Sequence, residues 1–317
     1  MKSIQWAAGL LVPAVLFLIG AGSLVTTTGS GLSIPDWPLA FSRLIPPHWY
    51  GGVAIEYTHR VIAGCVILLI LWINLQAFRN PIPRSVKRAA IGLMLLVLLQ
   101  AGLGGLTVLF DLPTVVSVSH AALAQATFLL AVFFLFQVRR DDCVVPDEDR
   151  LHFLRPLYPW FALMTALFYL QILFGAWMRH TASGLAVPDF PLAYGHLWPP
   201  ASYFQIRYLA PKIWIHMIHR LNGFILFLSI VPLAVIFRKR YANYPQYRRY
   251  ATLLLVLIPL QIVLGGWIIW STRHWFPTTL HVMMGAIITG LLLWSTLHLR
   301  CVEAGPLFSG RRDAGTS

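Results

Sequence analysis

Five histidines stand inside long apolar stretches of the sequence: His59, His120, His216, His219 and His281. Four of them form two pairs of nearly equal spacing, with 61 residues from His59 to His120 and 62 from His219 to His281. An ionisable side chain in an apolar segment is costly to bury and usually has a functional reason. Two imidazoles at one depth on facing helices can bind a single iron from opposite faces of a porphyrin, and helical bundles commonly build cofactor sites in this way. Zinc is the weaker reading, because it asks for three or four clustered ligands, often with Cys or carboxylate. The plain alternative is that these side chains hydrogen-bond between helices and hold a bundle together. Duplication of both pairs favours heme iron. His48, His152, His180, His196, His274 and His298 read as solvated positions in loops or at the cytoplasmic end.

The neighbours of the ligand candidates differ between the pairs. Residues 56–60 are Glu-Tyr-Thr-His-Arg, and their counterparts at 216–220 are His-Met-Ile-His-Arg. Glu56 and His59 are three apart and share a helix face. A carboxylate beside a heme edge can accept a proton, position water or stabilise developing positive charge. It can equally pair with Arg60 or complement a helix N-terminus. His216 in the equivalent place suggests that one half does chemistry while the other stores or relays electrons. Arg60 and Arg220 read either as partners of heme propionates or as interfacial side chains reaching for water.

The elements that carry these residues must be membrane helices. Of 317 residues, 58% are hydrophobic and 11% charged, and the mean hydropathy is +0.70. Apolar runs of about 20 residues, the length needed to cross the hydrocarbon core, recur throughout. The expected spans are 8–27, 56–78, 89–109, 117–138, 157–178, 212–237, 251–270 and 278–299. No polar stretch is long enough for a separate soluble domain. The first run reads as a membrane helix, since it lacks a small-residue cleavage site.

The net charge of +13 is a topology signal and does not point to nucleic acid. Basic residues gather in alternate loops: Arg79, Arg84, Lys87 and Arg88; Arg139, Arg140, Arg150 and Arg155; Arg238, Lys239, Arg240, Arg248 and Arg249; Arg300, Arg311 and Arg312. That bias predicts cytoplasmic termini and a multi-pass protein of a bacterial plasma membrane. Cys65 falls in a membrane helix, while Cys143 and Cys301 face the reducing side, so no disulfide is expected.

The long outer loops, 28–55 and 179–211, expose a repeat. Thr-Gly-Ser-Gly-Leu-Ser-Ile-Pro-Asp-Trp-Pro-Leu-Ala at 28–40 returns as Thr-Ala-Ser-Gly-Leu-Ala-Val-Pro-Asp-Phe-Pro-Leu-Ala at 181–193, an offset of 153. His59-Arg60 returns as His219-Arg220 at 160, and Gln100 and His120 return as Gln261 and His281 at 161. Duplication of a unit with an even number of crossings leaves both copies in the same orientation. The expected fold is therefore an all-α integral membrane protein. Its eight transmembrane helices form two tandem, same-orientation four-helix bundles, 1–150 and 151–317. Gly104-Gly105 and Gly265-Gly266 read first as close-packing positions.

These outer-loop signatures, together with Glu56-Tyr57-Thr58-His59-Arg60, resemble the heme A synthase family over the whole chain. The resemblance implies oxidation of the C8 methyl of heme O to the formyl of heme A. It implies that His59 and His120 hold the heme O substrate, that Glu56 is the catalytic carboxylate, and that His219 and His281 hold a heme b that passes electrons. The implied partners are membrane lipid, an electron donor, heme O synthase and terminal-oxidase assembly; a homo-oligomer is left open. Two positions depart from the family pattern. The outer loops carry no cysteine pair, and Thr26 stands where many members have an Arg that the second half keeps as Arg179. A di-heme cytochrome b-type quinol electron carrier and a non-catalytic heme-binding assembly or transport protein are the alternatives, and Glu56 separates them from the enzyme.

Overall fold

A polypeptide in lipid must satisfy its backbone hydrogen bonds within each crossing segment, which leaves the helix as the simplest solution for these apolar runs. The computed structural model describes residues 2–139 and 157–303. Arg140, Cys143, Arg150, His152, Arg155, Arg311, Arg312 and the expected boundary at 150/151 lie outside the described residues.

Among the described residues there are eight long helices and no strand: α1 (Lys2–Thr27), α2 (Gly51–Arg79), α3 (Arg84–Leu109), α4 (Thr114–Val138), α5 (Tyr158–His180), α6 (Ala210–Arg240), α7 (Pro245–Trp270) and α8 (Trp275–Glu303). All eight are long and apolar enough to cross a membrane, and the chain is a multi-pass membrane protein. Most begin earlier than hydropathy alone predicts. Residues such as Lys2, Arg84, Lys87 and Arg248 continue the helix past the apolar stretch, because hydropathy marks the hydrocarbon and not the end of the backbone ladder.

α1 packs on α2, α2 on α3, α3 on α4, and α4 returns to α1; α5 to α8 close on themselves in the same order. Leu11, Ile70, Leu93 and Phe134 belong to the first apolar core, and Phe161, Ile230, Phe237 and Leu254 to the second. The halves meet where α8 packs on α1 and α4, and where α4 packs on α5.

Two expectations for histidines are corrected. His298 is buried among the rings of Phe136, Tyr247, Tyr250 and Trp294, with Nδ1 2.9 Å from the Trp294 carbonyl oxygen. α8 runs on past its apolar stretch, and residue 298 still faces the bundle. His180 is the last, partly buried residue of α5 and not a loop position.

The outer loops repeat one structure. Asp36 accepts hydrogen bonds from the amides of Phe41 (2.7 Å) and Ser42 (2.6 Å); Asp189 accepts from Tyr194 (2.6 Å) and Gly195 (2.7 Å). The Ser42 and Phe41 amides hold the Asp36 carboxyl below the usual aspartate range. At Asp189 partial burial opposes the charge, but the Gly195 and Tyr194 amides prevail and its pKa is also lowered. The next residue of each loop drops into a glycine notch. A Cβ on Gly105 would lie 2.6 Å from the Trp37 ring, and one on Gly266 2.7 Å from the Phe190 ring.

Two outcomes follow from this seating. Gly105→Ala or Gly266→Ala should cost about 1–3 kcal/mol by overpacking and expose the adjacent loop to protease, measured by thermal unfolding and limited proteolysis in detergent. Both aspartates bind the loop amides in their charged form, so their contribution is full above the ordinary pKa of about 3.9 and is lost as the pH falls through their lower folded values. Protease sensitivity of residues 36–43 and 189–196 should therefore be flat from about pH 5 to 8 and rise only below about pH 4.

Candidate functional site

Each of the four paired histidines meets a glycine on the helix that precedes its own. A Cβ on Gly22 (α1) would lie 3.1 Å from His59 Nε2; on Gly104 (α3), 3.1 Å from His120 Cε1. In the second half, a Cβ on Gly175 (α5) would lie 3.2 Å from His219 Cε1, and one on Gly265 (α7) 3.3 Å from His281 Cε1. The glycines give each imidazole edge room against a neighbouring helix. Gly22 and Gly175 were not singled out by sequence reasoning; the 153-residue offset that relates the outer loops also relates them.

The structure brings His219 and His281 together, with ring centroids 6.4 Å apart and planes inclined by 62°. With metal–nitrogen bonds of about 2 Å, two imidazoles on opposite sides of one ion have ring centres roughly 6 Å apart. His59 and His120 are electrostatic neighbours in the first half. His120 Nδ1 is buried with no hydrogen-bond partner, and a polar atom left so in an apolar interior asks for a use in the finished site. No group of three or more His, Cys, Asp or Glu converges among the described residues. The donors are thus pairs of imidazoles, a set that fits heme iron.

Amide side chains support three of the four rings. Gln100 Nε2 lies 3.3 Å from His120 Nε2 and donates to the His120 carbonyl at 3.0 Å. Gln261 stands against His281 at 3.3 and 3.1 Å. Gln171 Nε2 lies 3.2 Å from His219 Nδ1 and donates to the His219 carbonyl at 2.8 Å, while Asn222 donates to Gln171 Oε1 at 2.7 Å. Sequence reasoning missed Gln171 and Asn222. Their signal was an amide within an apolar run, where only hydrogen bonding repays burial.

Glu56 is 4% exposed and His216 3%. The Glu56 carboxylate accepts from Arg60 Nη2 at 2.5 Å and from the Ile34 amide at 2.9 Å. His216 occupies the same post: the Val187 amide approaches its Nδ1 at 3.2 Å and Arg220 Nε its Nε2 at 3.0 Å. A carboxylate can accept at both oxygens, whereas neutral imidazole can accept at only one nitrogen. The first half therefore holds its loop more firmly here. The two arginines also bind loop carbonyls, Arg60 those of Asp36 and Leu39, both at 2.8 Å. Arg220 donates to the carbonyls of Asp189 (2.7 Å) and Leu192 (2.9 Å). Their guanidiniums are committed to loop backbone, a use that sequence reasoning did not weigh.

Arg179 joins the halves. Its guanidinium donates to Ser23 Oγ at 3.1 Å, to the Ser23 carbonyl and to Thr27 Oγ1, bridging α5 to α1.

The model of the COX15-CtaA family, described as cytochrome oxidase assembly protein, matches residues 52–293 and 212–314. The heme A synthase of Staphylococcus haemolyticus is 26% identical over 295 residues, 92% of this chain and 94% of its own. That of Alkalihalophilus pseudofirmus is 27% identical over 288 residues, 89% of this chain and 93% of its own. That of Geobacillus kaustophilus is 24% identical over 324 residues, 99% of this chain and 97% of its own.

Filling the glycine gaps should displace the rings. Gly175→Val and Gly265→Val are expected to remove the heme-type absorbance contributed by the His219–His281 pair while far-ultraviolet circular dichroism keeps its helical signal.

Proposed function

The chain belongs to the COX15-CtaA family of cytochrome oxidase assembly proteins, and on that premise we propose that it is a heme A synthase. It would oxidise the C8 methyl of heme O to the formyl of heme A. The observation that carries this reading is the combination of two matched imidazole pairs with a buried carboxylate beside only one of them.

His59 and His120 would hold heme O in the first half, 1–150. His219 and His281 would hold heme b in the second, 151–317. Bound there, heme b supplies one-electron transfer to or from the substrate half. The chain's own contribution is to bind, orient and protect. Gln100, Gln171 and Gln261 orient three of the ligand rings, and the glycines opposite admit them. Glu56, which accepts hydrogen bonds from Arg60 and the Ile34 amide, stands one helical turn before His59. From there it would accept a proton or steady positive charge that develops during oxidation. The loops at 28–50 and 181–209 cap the same end of the bundle as the ligands and restrict water. By the distribution of basic residues that end faces away from the cytoplasm of a bacterial plasma membrane, with both termini inside. Heme O, lipid, an electron donor, heme O synthase and the oxidase assembly machinery are the corresponding partners.

One finding favours a second reading. His216 does in the second half what Glu56 does in the first, so Glu56 would be a loop staple alone if the protein were a di-heme electron carrier or a heme-binding assembly protein. Glu56→His separates the two readings, because it installs a group that the fold already uses as a staple. Expressed with a source of heme O, the unaltered chain should yield heme A on pigment extraction and chromatography. Glu56→His and Glu56→Ala should retain bound heme and lose product by a factor on the order of 10² or more. His219→Ala should lose the low-spin spectrum of heme b. Unchanged product from Glu56→His defeats the catalytic role, and no oxidised product from the unaltered chain defeats the enzyme.

A further inference from the structure

We infer that the groove between the ends of α6 and α7 binds one anionic phospholipid, with its phosphate on Arg238, Lys239 and Arg248 and its acyl chains along Val235 and Leu255. The site lies at the end of the bundle opposite the paired histidines and does not depend on what they bind.

Hydropathy places the edge of the hydrocarbon at this groove. The apolar run of α6 ends at residue 237 and that of α7 begins at 251, while the helices themselves continue to Arg240 and start at Pro245. From His219 to Arg238 is 19 residues of helix, roughly 28 Å at 1.5 Å per residue and close to the depth of a bilayer's apolar core. Arg238 and Lys239 of α6 and Arg248 of α7 therefore stand at the level of lipid phosphates. With Val235, Ala242 and Leu255 they line a groove of about 310 Å³. Its lining changes with depth. The three cations are exposed, whereas Val235 and Leu255 are partly buried and belong to the apolar runs. A phospholipid needs opposite charge at its headgroup and hydrocarbon just beneath it, and the groove offers both in that order.

Three features set this groove apart from an ordinary basic edge. The first is the missing counter-ion. Among the described residues the one ion pair joins Arg60 to Glu56 at the far end of the bundle, and no hydrogen bond engages the side chains of Arg238, Lys239 or Arg248. Like charges that line one groove repel, and a shared anion relieves them. The second is the frame behind them. Phe237 and Tyr247, the residues just before Arg238 and Arg248, are buried with their rings 6.1 Å apart, and the buried Tyr241 ring lies 4.8 Å from one and 4.7 Å from the other. The turn that presents the cations is thus packed on an aromatic cluster. The third is a break in the repeat. An offset of 160 relates Lys239 to Arg79 and Arg238 to Phe78, and an offset of 161 relates Arg248 to Lys87. The first half keeps two of the cations and has a hydrophobic ring in place of the third.

Native mass spectrometry of the full-length protein in neutral detergent tests this, with titration by phosphatidylglycerol or by phosphatidylcholine of the same acyl chains. A basic residue at an anionic headgroup is worth roughly fivefold in binding. The first phosphatidylglycerol should therefore bind about tenfold or more tightly than phosphatidylcholine, and Arg238→Gln with Arg248→Gln should abolish most of that preference. Arg79→Gln with Arg88→Gln removes the same charge from the α2–α3 turn, also from exposed positions, and should change the affinity less than about threefold because solvent screens distant charges. Inorganic phosphate at the concentration of the lipid should not displace it, since phosphate gains nothing from Val235 and Leu255. Equal binding of the two lipids, equal loss from the two pairs of substitutions, or displacement by phosphate overturns the inference. A preference that emerges only with Asp147→Asn, Glu148→Gln and Asp149→Asn assigns the groove to the chain's own acidic segment and overturns it as well.

Discussion

An imidazole placed among hydrocarbon needs room and a polar partner, and in this chain both come from the helix that precedes it in sequence. Gly22, Gly104, Gly175 and Gly265 supply the room. Gln100, Gln171 and Gln261 supply the partner in three cases out of four. The rest of the architecture follows from keeping those neighbours in register. α1 stands beside α2 and α3 beside α4, and the same neighbour pattern recurs from α5 to α8. A shift of one residue in α5 would set a side chain where Gly175 is and move Gln171 off the His219 ring.

Much of this was legible in the sequence because duplication multiplies weak signals. One histidine in an apolar run is ambiguous, whereas four at offsets of 160 and 161 mark a repeat. The eight crossings were equally plain, since apolar runs of this length have few other uses. What remained hidden depends on direction. Gln171 and Asn222 look like ordinary polar interruptions until α5 and α6 are set side by side. The exchange of Glu56 for His216 looked like a change of chemistry, yet both side chains receive a loop amide and an arginine four residues on. His298 looked like a residue at a helix end beside water, and helical continuation turned it into an aromatic nest.

The arginine–loop arrangement also changes the meaning of the Pro-Asp-aromatic-Pro signature. Asp36 and Asp189 fold their loops back on themselves, Trp37 and Phe190 seat them in glycine notches, and Arg60 and Arg220 collect the carbonyls left over. The aspartate and the aromatic residue of the signature serve an irregular backbone segment whose polar groups need partners at the edge of the bilayer. His59 and His219 lie one residue before those arginines, so the loop and the imidazole are set by the same turn of helix.

The bridge from Arg179 to Ser23 and Thr27 has a consequence for kinetics over distance. It fastens α5 to α1 with a cation whose partners are hydroxyl and carbonyl oxygens, so the seam between the halves cannot open like a hinge without stranding that charge. Electron tunnelling decays exponentially with separation. Were each half to hold a redox centre, a bolted seam would keep the tunnelling path at constant length through every turnover, leaving the transfer rate to driving force and reorganisation energy.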